Sequence, residues 1–177
     1  YSPWPEEMNR QITGRIATYH FAPTELSKQN LLNEKINSDK IIVTGNTVID
    51  ALHLVLNKIN TNTALQLKLT EQIESLGYPN LSKLNSGQRK MILITGHRRE
   101  NFGDGFVSMC EAMKEIATNN PDFDLIYPVH LNPNVLKPVH AILGNVSNIY
   151  LIKPLEYLPF LFLMEKCYLV LTDSGGI

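Results

Sequence analysis

The sequence predicts an α/β fold with a doubly wound, parallel sheet, and three observations support this prediction. From residue 91 onward, short apolar segments alternate with segments whose apolar residues recur at the spacing of one helix face. The apolar segments are continuous, which is typical of parallel strands covered on both faces. Each apolar segment ends in a cluster of polar residues or glycine. Strands and helices in this order indicate right-handed crossovers on an open sheet.

The composition is that of a globular protein. Of 177 residues, 44% are apolar and 19% are charged, and the net charge of −1 indicates neither a nucleic-acid nor a membrane-surface partner. No segment approaches the ~18 apolar residues of a membrane span, and the first residues do not have the pattern of a signal peptide. Cys110 and Cys167 lie on predicted apolar helix faces, which favours core thiols in a reducing compartment over a disulfide or a metal site.

The first sixty residues predict alternating helices and strands. Glu6 and Glu7 follow two prolines at a helix start, where the helix dipole favours acidic side chains. The alternative is that one of these carboxylates points into a cleft. The other elements predicted here are a helix over 10–19, a strand over 20–22, a helix over 25–34 capped by Thr24, a strand over 40–44 and a helix capped by Thr47.

Residues 61–90 differ from the segments on either side. A helical pattern is followed by a stretch rich in Pro, Asn, Ser and Gly, which is typical of a connection. We therefore predict three parts: 1–60 as the C-terminal part of a first domain, 61–90 as a helix and interdomain connection, and 91–177 as a second domain.

The second domain is predicted to contain four strands. The strands are 91–95, 125–129, 149–152 and 168–172, and the helices between them are 105–118, 133–143 and 158–167. The residues that follow the strands are 96–100, 130–134, 153–157 and 172–176. Because the carboxyl ends of parallel strands lie along one edge of a sheet, these loops should lie near one another. Their histidine, arginine, asparagine, serine and glycine residues suggest a site for a phosphorylated polar ligand.

A glycine turn at Ser174, Gly175 and Gly176 ends the last strand. Backbone N–H groups of such a turn, where it leads into a helix, favour an anion such as a diphosphate. The alternative is a tight turn that only requires positive φ. The pattern is neither the G-x-G-x-x-G of dinucleotide folds nor a Walker loop, so the motifs do not support NAD or ATP.

The loop after residue 95 contains several groups that suit catalysis or anion binding. His97 could contact phosphate or transfer protons near neutral pH, or it could be structural. Arg98 and Arg99 suit phosphate or carboxylate, or they could pair with Glu100. His130 could instead hydrogen-bond its own loop. The chain has no H-E-x-x-H, C-x-x-C or G-x-S-x-G pattern, so zinc protease, metal-finger and serine hydrolase interpretations lose their main support.

Six segments, in order along nearly the whole chain, resemble the bacterial non-hydrolysing UDP-N-acetylglucosamine 2-epimerases. They are SPWPEEMNR (2–10), TGNTVIDAL (44–52), TGHRREN (95–101), YPVHLNPNV (127–135), EYLPF (156–160) and LTDSGGI (171–177). The region over 57–89 departs from the family by looking longer and more variable.

The resemblance implies a glycosyltransferase-B-like architecture, in which two Rossmann-like domains face each other across a cleft. Both domains would be incomplete in this chain, which starts without Met and stops on a glycine turn. We therefore expect an internal fragment that is inactive alone. The resemblance also implies a cytoplasmic homodimer, as the full-length protein, that serves polysaccharide biosynthesis.

The implied reaction interconverts UDP-GlcNAc and UDP-ManNAc. UDP is eliminated across C1–C2 to leave 2-acetamidoglucal, and it re-adds while C2 is protonated on the opposite face. The reaction needs acid/base groups and cationic help for the departing diphosphate. It needs no metal and no cofactor.

The matching motifs imply roles for individual residues. The residues with implied catalytic roles are Glu6 and His97. The residues implied to bind UDP are Leu158, Pro159, Phe160, Ser174, Gly175 and Gly176. The residues that match a second, regulatory UDP-GlcNAc site of some members are Arg98, Glu100 and His130.

Three alternatives share this architecture. A hydrolysing UDP-GlcNAc 2-epimerase would release ManNAc and UDP. A glycosyltransferase would move the sugar to an acceptor, and a nucleotide-sugar-binding module would perform no chemistry. The PEE and TGHRRE segments favour the non-hydrolysing epimerase over the transferase and the binding module.

Overall fold

The computed structural model describes residues 2–84, 87, 89–96 and 104–173. The chain forms two compact units, Tyr1–Leu54 and Val55–Ile177. The helices are α1 (Glu6–Ile16), α2 (Glu25–Asn33), α3 (Thr47–Asn60), α4 (Thr63–Ser75), α5 (Leu81–Leu84), α6 (Asp104–Asn119), α7 (Pro133–Leu143) and α8 (Tyr157–Lys166). The strands are β1 (His20–Ala22), β2 (Ile41–Val43), β3 (Lys90–Thr95), β4 (Phe123–Pro128), β5 (Ile149–Ile152) and β6 (Leu169–Thr172).

The first unit contains a two-stranded parallel sheet in which Phe21 of β1 lies opposite Ile42 of β2. The predicted Thr24 cap is confirmed, because its side chain accepts a hydrogen bond from the Ser27 N–H at 3.1 Å. The predicted Thr47 cap is wrong. The side chain of Asn46 accepts from the Val48 N–H at 3.1 Å, and Thr47 already belongs to α3. Asparagine is as good an N-cap residue as threonine, so the sequence alone does not decide between Asn46 and Thr47.

The predicted helix start at Glu6 and Glu7 is confirmed, and the helix ends three residues before Tyr19, where the prediction ended it. Glu6 and Glu7 occupy the first turn of α1, and the helix ends at Ile16. The Glu7 N–H donates to the Pro3 carbonyl at 3.0 Å, so the turn forms immediately after the proline-rich start. Both acidic residues therefore lie in the first turn of the helix, as the helix-dipole interpretation predicts.

The second unit is a four-stranded parallel sheet in the order β5-β4-β3-β6. Successive strand residues face opposite sides: Ile92 and Ile94 pack with α6 and α7, whereas Met91 and Leu93 pack with α4, α5 and α8. Since helices cover both faces, the strands are mostly apolar, as expected for parallel sheets. The doubly wound α/β fold is confirmed.

Residues 61–90 are more than a connection. Leu69 and Ile73 of α4, together with Tyr78 and Leu81, are buried in the core that covers one face of the sheet. The composition, rich in Pro, Asn and Gly, did not indicate this buried contact, because only a few apolar side chains of the segment make it. The domain bounds given above, at residues 60 and 90, stay a prediction.

An ion pair between Arg89 and the buried Asp124 of β4 holds the segment 61–90 against the sheet. Asp124 is fully buried in β4, and Arg89 donates to one of its carboxylate oxygens from Nε at 2.9 Å and from Nη2 at 2.6 Å. The Tyr78 hydroxyl donates to the other oxygen at 3.1 Å. Asn80 bridges the same oxygen and the Tyr150 hydroxyl, at 3.3 and 2.7 Å. A buried carboxylate requires such partners.

Candidate active site

The strand order reverses between β3 and β6. Strands β3, β4 and β5 follow one another in one direction across the sheet, and β6 then pairs with the other side of β3. Ligands of open parallel sheets bind at the carboxyl ends of the strands, beside such a reversal. Here those ends are Thr95 and Thr172, which are register partners, and the Asp173 N–H donates to the Thr95 carbonyl at 3.3 Å.

A cavity of about 210 Å³ lies at this reversal. Its lining residues are Ile94, Thr95, Gly96, Met109, Ala112, Met113, Ile116, Leu171, Thr172 and Asp173. The wall formed by α6 is apolar, and the polar lining comes from the ends of β3 and β6. Both described residues that border the predicted anion-binding loops, Gly96 and Asp173, belong to it.

A second cavity, of about 220 Å³, lies at the ends of β3, β4 and β5. Its lining residues are Ile94, Thr95, Pro128, His130, Pro154, Leu155 and Phe160. Two residues predicted for different roles, Phe160 for UDP binding and His130 for regulation, therefore share one cavity. The Phe160 ring is partly buried and packs against the sheet core, which fixes its position.

The start of α8 carries the other two described residues predicted to bind UDP. Pro159 is buried, and Leu158 is half-buried against the core. Pro159 itself has no N–H group to donate. The Glu156 side chain, at the N-cap position, accepts no hydrogen bond from the first turn of α8. The first N–H groups of any helix lack intrahelical acceptors, so the start of α8 retains donors for an acceptor from outside the helix.

His130 is exposed at the end of β4. Its Nδ1 accepts a hydrogen bond from the Asn132 N–H at 3.2 Å, while the Asn132 side chain caps α7 by accepting from Asn134 at 3.0 Å. The alternative that His130 hydrogen-bonds its own loop is therefore correct. An Nδ1 that accepts carries no proton, which leaves Nε2 as the N–H of the neutral ring.

Glu6 lies in the other unit, on the first turn of α1, and its side chain is exposed. It makes no hydrogen bond or ion pair with any residue in the described ranges. The next residue, Glu7, accepts from Arg10 at 2.7 Å and from Gln11 at 2.9 Å. Arg10 lowers the pKa of Glu7 to about 2.

Six predicted site residues lie outside the described part of the chain. They are His97, Arg98, Glu100, Ser174, Gly175 and Gly176. Their roles stay predictions.

Two arrangements of the described residues were not predicted from the sequence. The first is the Glu7–Arg10–Glu34 ion-pair cluster, in which Arg10 bridges α1 and the residue after α2. The spacing of Glu7 and Arg10, three residues apart on a helix, could have indicated the ion pair between these two residues but not the one with Glu34. The second is the buried Tyr127, whose hydroxyl donates to the Gly96 carbonyl. No sequence signal distinguished it from a core tyrosine of β4.

Within the described ranges, no cluster of three or more His, Cys, Asp or Glu side chains has the arrangement of a metal site. No helix in those ranges is both long and apolar enough to cross a membrane.

Known proteins resemble this chain over its whole length. The family model for UDP-N-acetylglucosamine 2-epimerase matches residues 1–177. The UDP-N-acetylglucosamine 2-epimerase of Salmonella typhimurium is 56% identical over 177 residues, which are 100% of this chain and 45% of that protein. The chain therefore spans about 45% of the length of such relatives.

Solved structures agree with the sequence comparison. The UDP-GlcNAc 2-epimerase of Neisseria meningitidis, solved bound to UDP-GlcNAc, is 50% identical with a TM-score of 0.80, and the match covers 100% of this chain and 45% of that one. The Methanocaldococcus jannaschii enzyme, solved with UDP-GlcNAc and UDP, is 33% identical with a TM-score of 0.66, over 97% and 44% of the two chains. This fold is glycosyltransferase-B-like. The chain belongs to the UDP-N-acetylglucosamine 2-epimerase family.

Proposed function

We propose that the protein, at the length of its relatives, interconverts UDP-GlcNAc and UDP-ManNAc without net hydrolysis. The observation that carries this proposal is the family match over all 177 residues. The described residues that border two of the predicted ligand loops, Gly96 and Asp173, lie at the carboxyl edge of a parallel sheet beside a reversal of strand order, which supports it. We expect the 177-residue chain to be inactive by itself, since it spans about 45% of its relatives.

The proposed chemistry is elimination followed by re-addition. A base removes the C2 proton while the C1–O bond breaks, and UDP leaves with the bonding electrons to give 2-acetamidoglucal. UDP then adds back at C1 while an acid protonates C2 on the opposite face. Each half needs a proton-transfer group near C2 and positive charge or N–H donors near the diphosphate.

Glu6 is the carboxylate that we propose for proton transfer. Its exposed side chain has no polar partner within the described ranges, whereas the adjacent Glu7 is occupied by Arg10 and Gln11. A carboxylate without a fixed partner is available to a substrate, and one held in an ion pair is not. His97 is the second proposed proton-transfer group, and it would also contact the diphosphate.

The UDP site is proposed to extend between the ends of β5 and β6. The Phe160 ring lines the 220 Å³ cavity, and Leu158 and Pro159 belong to the same first turn of α8. We propose that this turn and ring hold uracil. We propose that Ser174, Gly175 and Gly176, which follow β6 in the sequence, offer backbone N–H donors to the diphosphate.

A regulatory UDP-GlcNAc site is proposed at Arg98, Glu100 and His130. His130 is exposed and lines the cavity that also contains Phe160, so a second ligand there would lie beside the proposed uracil site. The Methanocaldococcus jannaschii enzyme has been solved with both UDP-GlcNAc and UDP. We also propose that the full-length protein is a cytoplasmic homodimer that needs no metal or cofactor.

The experiment that tests this function follows the full-length protein with UDP-GlcNAc in deuterated water by NMR. We expect UDP-ManNAc that carries deuterium at C2. Free ManNAc with UDP would replace the proposal by a hydrolysing epimerase. An unchanged substrate would refute epimerisation and return the protein to the transferase and binding-module alternatives.

A further inference from the structure

Thr95 ends β3 in a layer of side chains that lies just beyond the core on the α8 side of the sheet. Leu93 of β3 and Ile126 of β4 pack in that core. Because successive side chains of a strand face opposite sides, Thr95 and Pro128, two residues further along, lie on the same side. Both residues line the cavity of about 220 Å³ described above. The Thr95 side chain therefore belongs to this cavity.

The cavity contains few polar groups besides the Thr95 hydroxyl. Its walls include Phe160 and two prolines, Pro128 and Pro154, which have no backbone N–H to donate. Among the described residues that line it, only Thr95 and His130 have polar side chains. His130 is exposed, whereas Thr95 is partly buried. Within the described part of the cavity, Thr95 is therefore the polar contact that lies away from solvent.

The backbone of Thr95 is held in the sheet by contacts that do not use its hydroxyl. Thr95 is the register partner of Thr172, and its carbonyl accepts a hydrogen bond from the Asp173 N–H at 3.3 Å. The hydroxyl itself makes no hydrogen bond with any other residue in the described ranges. A hydroxyl group that is partly removed from water is stabilised by a hydrogen-bonding partner, which a bound ligand can supply.

The size and lining of the cavity suit one ring of a nucleotide. Its volume of about 220 Å³ is below the roughly 300–1,000 Å³ of a pocket that holds a whole drug-sized ligand. An aromatic side chain such as Phe160 packs well against a planar ring. The edge of a uracil ring carries carbonyl oxygens and an N–H group. Because a threonine hydroxyl can both donate and accept, it can form a hydrogen bond with either kind of group.

We propose that Thr95 is a further residue that determines affinity for the base: its hydroxyl forms a hydrogen bond with the edge of the pyrimidine ring that packs against Phe160. This inference rests on the function proposed above, and it adds a polar contact to the proposed uracil site. Apolar packing favours any flat ring, whereas a polar group placed in an apolar cavity fixes the orientation of the ring and provides specificity.

The test measures the affinity of the full-length protein for UDP by isothermal titration calorimetry. Thr95→Val removes the hydroxyl and keeps the β-branched shape, and Thr95→Ser keeps the hydroxyl. Thr70→Val is the matched control, because the Thr70 hydroxyl is partly buried in α4 and donates to the Gln66 carbonyl at 2.9 Å. We expect Thr95→Val to raise the Kd for UDP by roughly tenfold, the scale of one hydrogen bond, while Thr95→Ser and Thr70→Val stay within about twofold of wild type.

Inorganic diphosphate, which has no base, separates a base contact from a general defect of the site. Its affinity should be the same in wild type and in Thr95→Val. An unchanged Kd for UDP in Thr95→Val, an equal loss in Thr95→Ser, or an equal loss for inorganic diphosphate would overturn the proposal. Thr95→Ala repeats the comparison if Thr95→Val lowers Tm. If wild-type protein binds UDP but does not convert UDP-GlcNAc, the proposed function fails, and the UDP affinities still decide the role of Thr95.

Discussion

Arg10 donates to both carboxylate oxygens of Glu7, from Nε at 2.8 Å and from Nη2 at 2.7 Å. The same guanidinium group donates to Glu34 at 2.7 and 3.2 Å. This arrangement separates the roles of two neighbouring carboxylates. Through Arg10, Glu7 is joined to Glu34 at the end of α2, whereas Glu6 has no polar partner among the described residues.

This separation predicts opposite outcomes for two charge-removing substitutions. We expect Glu6→Gln to lower kcat of the full-length protein by ~100-fold or more, because it removes a proton-transfer group, and to leave Tm unchanged. Glu7→Gln should lower Tm and leave kcat within about twofold, since the acid/base chemistry is retained. The measurements are UDP-GlcNAc conversion and thermal unfolding. Loss of turnover in Glu7→Gln at an unchanged Tm would show that the two carboxylates had been assigned the wrong way round.

The Glu7 ion pair also predicts a dependence of stability on pH. Arg10 lowers the pKa of Glu7 from an ordinary value of 4.5 to about 2 in the folded protein. Between those values the unfolded chain binds the proton more tightly, so the contribution of Glu7 to stability is complete above pH 4.5 and is lost as the pH falls toward 2. We expect the Tm difference between wild type and Glu7→Gln to be constant near neutral pH and to shrink over this interval. A difference that persists to pH 2 would contradict the assignment.

The buried Asp124 predicts a large stability effect far from the strand ends that carry the site. Arg89→Ala leaves a fully buried carboxylate without its charged partner, and we expect a loss of about 3 kcal/mol in the free energy of unfolding. Lys114→Ala is the control, because its 3.9 Å pair with Glu111 is exposed and should contribute less than ~1 kcal/mol. Urea unfolding of both variants measures the difference. Similar values for the two would mean that water replaces the Arg89 contact.

The two cysteines differ in a testable way. Cys110 is fully buried, and burial raises its pKa to about 11, so it remains a thiol at neutral pH. Cys110→Ser places a hydroxyl in an apolar core, and we expect it to cost ~1–3 kcal/mol of stability while kcat is kept. Cys167→Ser should cost less, because the Cys167 Sγ already donates to the Met164 carbonyl at 3.0 Å and a serine hydroxyl retains that bond. A stable Cys110→Ser protein without turnover would instead place this side chain in the chemistry.

The proposed role of His97 predicts a loss of activity that another histidine does not share. We expect His97→Asn to lower kcat by ~100-fold or more. His53→Asn is the control, because His53 lies on the exposed side of α3. Comparable kcat values for the two variants would reject a catalytic His97.

The parallel fold followed from the sequence because the central strands β3 and β4 are buried on both faces. Residues such as Met91 to Ile94 alternate between two cores, and only continuous apolar segments satisfy that arrangement. The helix after Pro133 was predicted with its observed bounds, since Asn132 and Pro133 define its start and Gly144 follows its end. The end of α1 and the cap of α3 were misplaced, because several adjacent residues could serve at each helix end.

The candidate site was less accessible to sequence reasoning. Periodicity located the loops but not the partners of individual side chains. Nothing in the sequence distinguished Glu7, held by Arg10, from Glu6 beside it, which has no polar partner among the described residues. The sequence indicated only that Tyr127 is a buried strand residue, because the acceptor of its hydroxyl is the Gly96 carbonyl oxygen, which follows a different strand. Such pairs become visible only when the strand order is known.

The pairing of β3 with β6 has a consequence for how the protein folds. Ile92 pairs with Leu169, so the chain between them must fold and return before these strands can join. Closing a long loop costs chain entropy before the new contacts compensate for it, which makes such non-local pairings slow. During synthesis, β3 and β4 can pair while β6 is still inside the ribosome. The crevice proposed to hold the diphosphate is therefore among the last features of this unit to form.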